Sequence, residues 1–307
     1  MSYAVKILTK FYIYSDEGLM ISNILNLLDT EKPILIAGPT ASGKSNLALT
    51  IANKLGGIIV NADSMQVLNC WKILSARPSS QDLLDADHFL YGHIGINEPY
   101  SAGHWLRDLK KVLKTPHRPI IVGGTGLYFN ALLNGLAEIP EIKDSVKEIA
   151  NELELEDMVL ALDDKVKAKI DLKNRARVQR AWEVQEATGE SLVHWQSKTP
   201  PPLMQLEEVN TVLLDIPKTE LDLKITKRFD QMLNLGVLDE VKAMETHWDS
   251  KKIFSKAIGA PQLMSYLKKE TNLTEARANS IIASRQYAKR QRTFFKKNMI
   301  KWTTYRQ

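Results

Sequence analysis

Apolar residues fall along this chain in two rhythms. Four short runs are apolar at nearly every position: PILIAG from Pro33, GIIVNAD (Gly57–Asp63), RPIIVGGTG (Arg118–Gly126) and NTVLLDIP (Asn210–Pro217). Each is short, rich in β-branched residues and bounded by Gly, Pro or Asp, and so predicts a buried strand. A helical rhythm separates them. In SNLALTIANKLG, Leu47, Ile51 and Leu55 recur at every fourth position and Gly56 ends the segment. LYFNALLNGL, directly after the third apolar run, is a second helical segment. Continuous apolar strands alternating with helices predict an α/β fold, a parallel sheet with helices on both faces.

From about residue 141 to residue 202 the strand rhythm disappears. Charged helical segments such as DSVKEIANELELEDMVLAL and RARVQRAWEVQEATG take its place, and TPPP (Thr199–Pro202) closes the section. This predicts an all-α insertion, 141–202, within a discontinuous core of 31–140 and 203–307. The chain is mostly helical again after Thr219. Residues 1–30 lack a small-residue cleavage site after an apolar core, so they read as an N-terminal extension rather than a signal peptide, with Met20 a candidate start.

The 307 residues, 44% hydrophobic and 25% charged, have an ordinary globular composition. No apolar run approaches the roughly 18–20 residues of a membrane span. Cys70 is the only cysteine, which excludes an intrachain disulfide and a multi-cysteine zinc site. The net charge of +5 conceals an asymmetry. Residues 251–307 carry 14 Lys and Arg against 2 acidic residues, and the rest of the chain is net −7. A basic end on an acidic body predicts a polyanionic partner; a solvated helical surface is the competing reading.

The chemistry begins at GPTASGKS, which fits the phosphate-binding pattern G-x-x-x-x-G-K-[ST] between a strand and a helix. Gly38, Pro39, Thr40, Ala41, Ser42 and Gly43 border the anion, all but Pro39 with a backbone N–H to offer, Lys44 supplies a point charge and Ser45 is a candidate Mg²⁺ ligand. Asp63 ends the second strand and Thr125 follows the third. Parallel strands align their carboxyl ends, so both residues should meet the glycine loop in one cleft. Asp63 then has three open roles: a Mg²⁺-holding acid, a general base, or a helix cap.

In ASRQYAKRQRTFFKK, Arg285, Lys289, Arg292 and Lys296 share one helical face, beside a more apolar stripe of Ala276, Ala283, Tyr287 and Phe294. No acid occurs after Glu275, so the basic face suits a phosphate backbone. Arg175, Arg177 and Arg180 of the insertion could clamp RNA or pair with local acids. The six histidines form no metal-ligand pattern, and the six tryptophans are expected in the core or at interfaces.

Several motifs now occur together and in order: GPTASGKS, NADSMQV, IIVGGTGLYFNALLNGLAEIP, RVQRAWEV, KRFDQML and SRQYAKRQRTFF. In these the chain resembles the bacterial tRNA dimethylallyltransferases, from about Pro33 to Trp302. The resemblance implies a P-loop NTPase-like core with a helical insertion. It implies transfer of a dimethylallyl group from dimethylallyl diphosphate to N6 of the adenosine 3′ of the anticodon, with Mg²⁺ assisting. It makes Asp63 the base, places Ser64, Met65 and Gln66 at the adenine, and has Thr40 and Ser42–Ser45 bind diphosphate. Thr125 and Arg228 would flank the reacting groups. Ala176, Arg177, Val178, Gln179 and Arg180, with Lys147, Gln286, Lys289 and Arg292, would contact tRNA. A cytoplasmic monomer without a membrane partner is expected. Arg77, Phe89, Lys147, Ala176, Ala260 and Pro261 depart from the usual family residues, and they bear on RNA affinity more than on the chemical step. The rival readings are a P-loop small-molecule or nucleotide kinase and a non-catalytic RNA-binding NTP switch.

Overall fold

The computed structural model describes residues 17–306. The four apolar runs are strands: β1 (Ile34–Ala37), β2 (Ile58–Asn61), β4 (Pro119–Gly123) and β5 (Asn210–Asp215). Two further strands, β3 (His88–Phe89) and β6 (Thr304–Arg306), were not legible in the pattern. All pair in parallel, in the order β3-β2-β4-β1-β5-β6. Leu35 lies opposite both Ile121 and Thr211, and Val60 opposite both Ile121 and Phe89. Every residue of β1, β2 and β4 is buried, as two-sided helical cover requires.

The helices of the sheet layer are α1 (Glu17–Leu27), α2 (Lys44–Leu55), α3 (Ser80–Asp85), α4 (Ala102–Val112) and α5 (Gly126–Asn134). α2 buries Leu47, Ala48, Ile51 and Ala52 and is capped at Gly56, the predicted stop. The proposed N-terminal extension falls partly on residues 1–16, outside the described residues. Its remainder is not an appendage. Ile24 of α1 is fully buried in the cluster that holds Ile34, Ile36, Leu47 and Val212, and Asp29 and Asn210 exchange two hydrogen bonds.

After α5 come α6 (Asp144–Glu152), α7 (Leu155–Ala161), α8 (Asp164–Lys167), α9 (Arg175–Thr188) and α10 (Leu192–Ser197), with no strand. They belong to a separate compact unit, Ala131–Leu203, which begins within α5, ten residues before the expected insertion. Its own core joins Ala150, Met158, Leu162, Val166, Val178, Ala181 and Trp182. The chain then returns to the first unit through α11 (Lys218–Asn234), α12 (Val237–Lys242), α13 (Ala260–Leu267) and α14 (Leu273–Asn298). These pack around Trp71, Phe229, Phe254 and Leu263. Pro261 sits in the first turn of α13, where proline is tolerated. Trp71 and Trp105 are fully buried with their indole N–H groups bonded to Phe254 O and Asn61 O, in line with a core role.

Candidate active site

β1 delivers the chain into the glycine loop at the carboxyl edge of the sheet. Gly43 turns it into α2 at φ 81°, a left-handed conformation that costs glycine little. Ala41 adopts φ 62° without that freedom, so the loop holds a strained residue at its tip. Ser42 is buried, and its Oγ has no protein partner. A buried hydroxyl without a protein partner is suited to bond a ligand oxygen. Lys44 Nζ meets Pro39 O at 3.3 Å, and Thr40 Oγ1 accepts a hydrogen bond from Arg228 Nη1 at 3.2 Å.

Asp63 leaves the end of β2 under tight backbone control. Asn61, fully buried, accepts the Asp63 N–H at 2.8 Å and donates to the Asp63 carbonyl at 2.9 Å. The Asp63 carboxylate accepts the Met65 N–H at 3.0 Å, an Asx turn that leaves its second oxygen for other work. Thr125 folds back from β4: its N–H donates to Ala62 O, and its Oγ1 accepts the Ser64 N–H at 2.9 Å. Asp63, Thr125 and the glycine loop thus meet in one cleft, as the strand ends foretold.

That cleft opens into a cavity of about 260 Å³. Thr40, Ala41, Asp63, Ser64 and Arg228 form its polar end. Leu74, Ile225, Phe229 and Met232 form an apolar wall. Lys256, Tyr287 and Arg290 also line it, with the Arg290 guanidinium 5.7 Å from the centre of the Tyr287 ring. Burial lowers the Lys44 ammonium to about 8, with Arg228 adding to the effect and Asp63 opposing it. Burial also lowers the Arg228 guanidinium, again opposed by Asp63. It raises the phenols of Tyr91, Tyr128 and Tyr287, each further raised by the Asp63 charge. Two cations and one carboxylate therefore share a poorly hydrated site, where an added anion would relieve the surplus of positive charge.

The remaining expected residues divide. Met65 lines the cavity, whereas Gln66 uses its Nε2 to tie Ser75 O and Ala76 O. Gln286 and Lys289 are exposed on α14. Arg292 lies 3.6 Å from Asp215, and Arg285 lies 3.8 Å from Asp222 and bonds Thr226. The buried face of α14 is not the stripe through Ala283, Tyr287 and Phe294, which are only half-buried. It runs through Ala276, Ser280, Ile281, Ala288, Gln291 and Phe295. Helical spacing fixed a face to within one residue's rotation, and packing against α11 and α13 chose between neighbours.

In the unit Ala131–Leu203, Ala176, Arg177 and Arg180 are exposed on α9. Val178 is not available to RNA in this arrangement, because it is fully buried in the core of the unit. Arg175 donates to the carbonyls of Ala150, Asn151 and Leu153, capping the end of α6. Gln179 bonds Asn151 and Glu183, and Lys147 pairs with Asp144. Arg77, a departure from the family, donates to Trp71 O and Asn69 O and so closes its own loop. Phe89 pairs with Val60 at the sheet edge.

Sequence reasoning missed Asn61, Lys256 and Gln291, which no local pattern marks. It also missed Glu240, whose carboxylate accepts the N–H groups of Lys72, Ile73 and Leu74 and anchors the loop beneath the cavity. Among the described residues, no group of three or more His, Cys, Asp or Glu could cage a metal. The resemblance implies Mg²⁺, which prefers a few protein oxygens with waters and phosphate. The exposed Ser45 at the start of α2 and the unpartnered Ser42 hydroxyl of the glycine loop are oxygen donors of the type such an ion takes.

A parallel sheet with a glycine-rich loop beside a half-buried carboxylate and a half-apolar cavity defines a P-loop NTPase-like core. The family model described as IPP transferase matches residues 66–298. The chain is 48% identical to the tRNA dimethylallyltransferase of Ruegeria sp. over 91% of this chain and 96% of that relative. It is 50% identical to that of Roseobacter denitrificans over 90% and 99%. Among solved structures it resembles a eukaryotic dimethylallyltransferase captured acting on tRNA, at TM-score 0.76 and 25% identity over 90% of this chain and 73% of that one. It also resembles the tRNA isopentenylpyrophosphate transferase of Staphylococcus epidermidis, at TM-score 0.61 and 30% identity over 90% and 93%. The chain belongs to the IPP transferase family, whose curated relatives are tRNA dimethylallyltransferases.

Proposed function

We propose that the chain transfers a dimethylallyl group from dimethylallyl diphosphate to N6 of the tRNA adenosine 3′ of the anticodon, releasing diphosphate. The observation that carries this reading is one cavity that joins an anion loop, a carboxylate and an apolar wall. The glycine loop, Lys44 and Arg228 bind the diphosphate. The apolar wall of Leu74, Ile225, Phe229 and Met232 suits a five-carbon chain and the faces of a base.

In the reaction the N6 nitrogen forms a bond to the allylic carbon as the carbon–oxygen bond to diphosphate breaks. The electron pair of that bond leaves on the diphosphate oxygen, where Lys44 and Arg228 meet the growing charge. The N6 proton passes to the Asp63 carboxylate, which the Met65 N–H holds while the Asn61 amide fixes the Asp63 backbone. Mg²⁺ at Ser45 would supply further charge neutralisation on the diphosphate. A base reaches such a cleft only by leaving the stack, which an anticodon loop permits at low cost. A tRNA substrate supports work in the cytoplasm. No helix among the described residues is long and apolar enough to cross a membrane.

The test is incubation with tRNA, Mg²⁺ and radiolabelled dimethylallyl diphosphate. Label should enter tRNA, and Asp63→Asn should slow its entry roughly 10²-fold or more with tRNA binding nearly unchanged. Absence of label from tRNA, together with γ-phosphate transfer from ATP to a small acceptor, would replace this reading with a kinase.

A further inference from the structure

Gln291 lies on the basic helix α14 between two arginines, yet its side chain is only 5% exposed. Both ends of its amide are engaged, by different loops. Oε1 accepts the N–H of Thr40 in the glycine loop at 2.8 Å, and Nε2 donates to the carbonyl of Gly124 at 2.9 Å. The orientation follows from the partners: a backbone N–H can only donate and a carbonyl only accept, so a flipped amide would face two repulsions.

The two loops leave neighbouring strands. Thr40 follows β1 and receives Arg228 on its hydroxyl; Gly124 follows β4 and precedes Thr125, which holds the Ser64 N–H. Gly124 has no room for a side chain. A Cβ there would stand 2.2 Å from Gln291 Nε2 and 3.4 Å from Asp63 Oδ2, so amide and carboxylate converge on the same glycine. One buried amide thus ties the loop assigned to the leaving group to the loop after β4, whose Thr125 in turn holds the Ser64 N–H next to the proton acceptor Asp63.

We propose that Gln291 is a positioning residue that holds the diphosphate loop in register with Asp63, resting on the prenyl-transfer reading above. A gap between donor and acceptor loops that drifts by about 1 Å costs rate on the order of 10²-fold, without a matching loss of binding. Gln291 acts through Thr40 and Gly124 rather than on either substrate.

The experiment is a single-turnover measurement on the full chain with enzyme in excess over labelled donor and tRNA, which makes the rate constant independent of the folded fraction. Gln291→Met keeps the shape and loses both hydrogen bonds. Gln291→Glu keeps the acceptor for Thr40 and sets an oxygen against the Gly124 carbonyl. Both should slow the rate constant at least about 10-fold, with donor KM and tRNA Kd within about threefold of the parent. A Gln291→Met rate constant within about twofold of the parent overturns the proposal. So does a loss confined to thermal stability, which is what a packing role alone would give. Should Gln291→Met not fold, Gln291→Asn, shorter by one methylene and still polar at both ends, is judged by the same limits. A parent chain that fails to label tRNA refutes the prenyl-transfer reading itself, and is thereby distinguished from a failure of the Gln291 assignment.

Discussion

At the scale of single residues the site is governed by what surrounds its charges. Lys44 and Arg228 are both depressed by burial, and each gains from Asp63 only part of what it loses in hydration. Lys44, at about 8, titrates within reach of ordinary assays. Its folded value lies below its unfolded one, so the unfolded chain holds more protons between about pH 8 and the ordinary lysine value of 10.5. The stability cost of the buried charge is therefore fully present below pH 8 and is relieved as pH rises through that window. For function the sign is opposite. Above pH 8 the free protein loses the charge that meets the diphosphate, whereas a bound diphosphate holds the proton on. We expect kcat/KM for the donor to fall above about pH 8 and kcat to persist to higher pH, since the first reports the free protein and the second the complex. Parallel pH profiles for the two parameters would remove Lys44 from the diphosphate site. The residue scale is also where the sequence was least legible. Lys44 and Asp63 announced themselves because a loop motif and a strand end are local features. Gln291 is 251 positions from its partner Thr40, and Asn61 is one polar residue at the end of an apolar run, so only the fold gives either of them meaning.

At the scale of elements, length decided what could be read. β1, β2, β4 and β5 are four to six residues long with buried interiors, enough to leave a run of apolar letters. β3 and β6 have two and three residues and lie at the sheet edges, so they leave almost no pattern. Helix α14 shows the next limit. Its basic letters are spaced evenly, but the fold gives them different electrostatic surroundings. Arg285 and Arg292 face Asp222 and Asp215, while Lys289 and Lys296 are exposed and have no ion-pair partner among the described residues. An arginine that already has a carboxylate beside it gives up less counterion on meeting a phosphate. Neutralising Lys289 and Lys296 should therefore flatten the slope of log Kd for tRNA against log salt by about 0.7–0.9 per lysine. Neutralising Arg285 and Arg292 should flatten it less. Equal changes from the two pairs would mean that both arginines leave their carboxylates for RNA; no change from the lysines would return this face to solvent.

At the scale of the whole molecule, function is divided between two units of unlike construction. The sheet unit owns the glycine loop, Asp63, Thr125, Arg228 and every residue lining the cavity. The unit Ala131–Leu203 owns Arg177 and Arg180 and a core that draws on no residue outside it. Composition foretold the division, because the loss of strand rhythm and the onset of charged helices are averages over many residues. The unit itself begins at Ala131, within α5, where the pattern of letters does not change. A unit with its own core should lose its fold without taking the anion site with it. Met158 is fully buried there, and Met158→Ala should cost about 2–5 kcal/mol of that unit's stability. Unfolding of the variant should show an early transition in Trp182 and Trp195 fluorescence, followed by the transition of the sheet unit at its parental midpoint. Donor binding, measured by calorimetry below the early transition and again between the two, should stay within about twofold in both ranges. A single shifted transition that carries donor binding with it would show one cooperative body, and the helical unit would then be part of the scaffold of the diphosphate site.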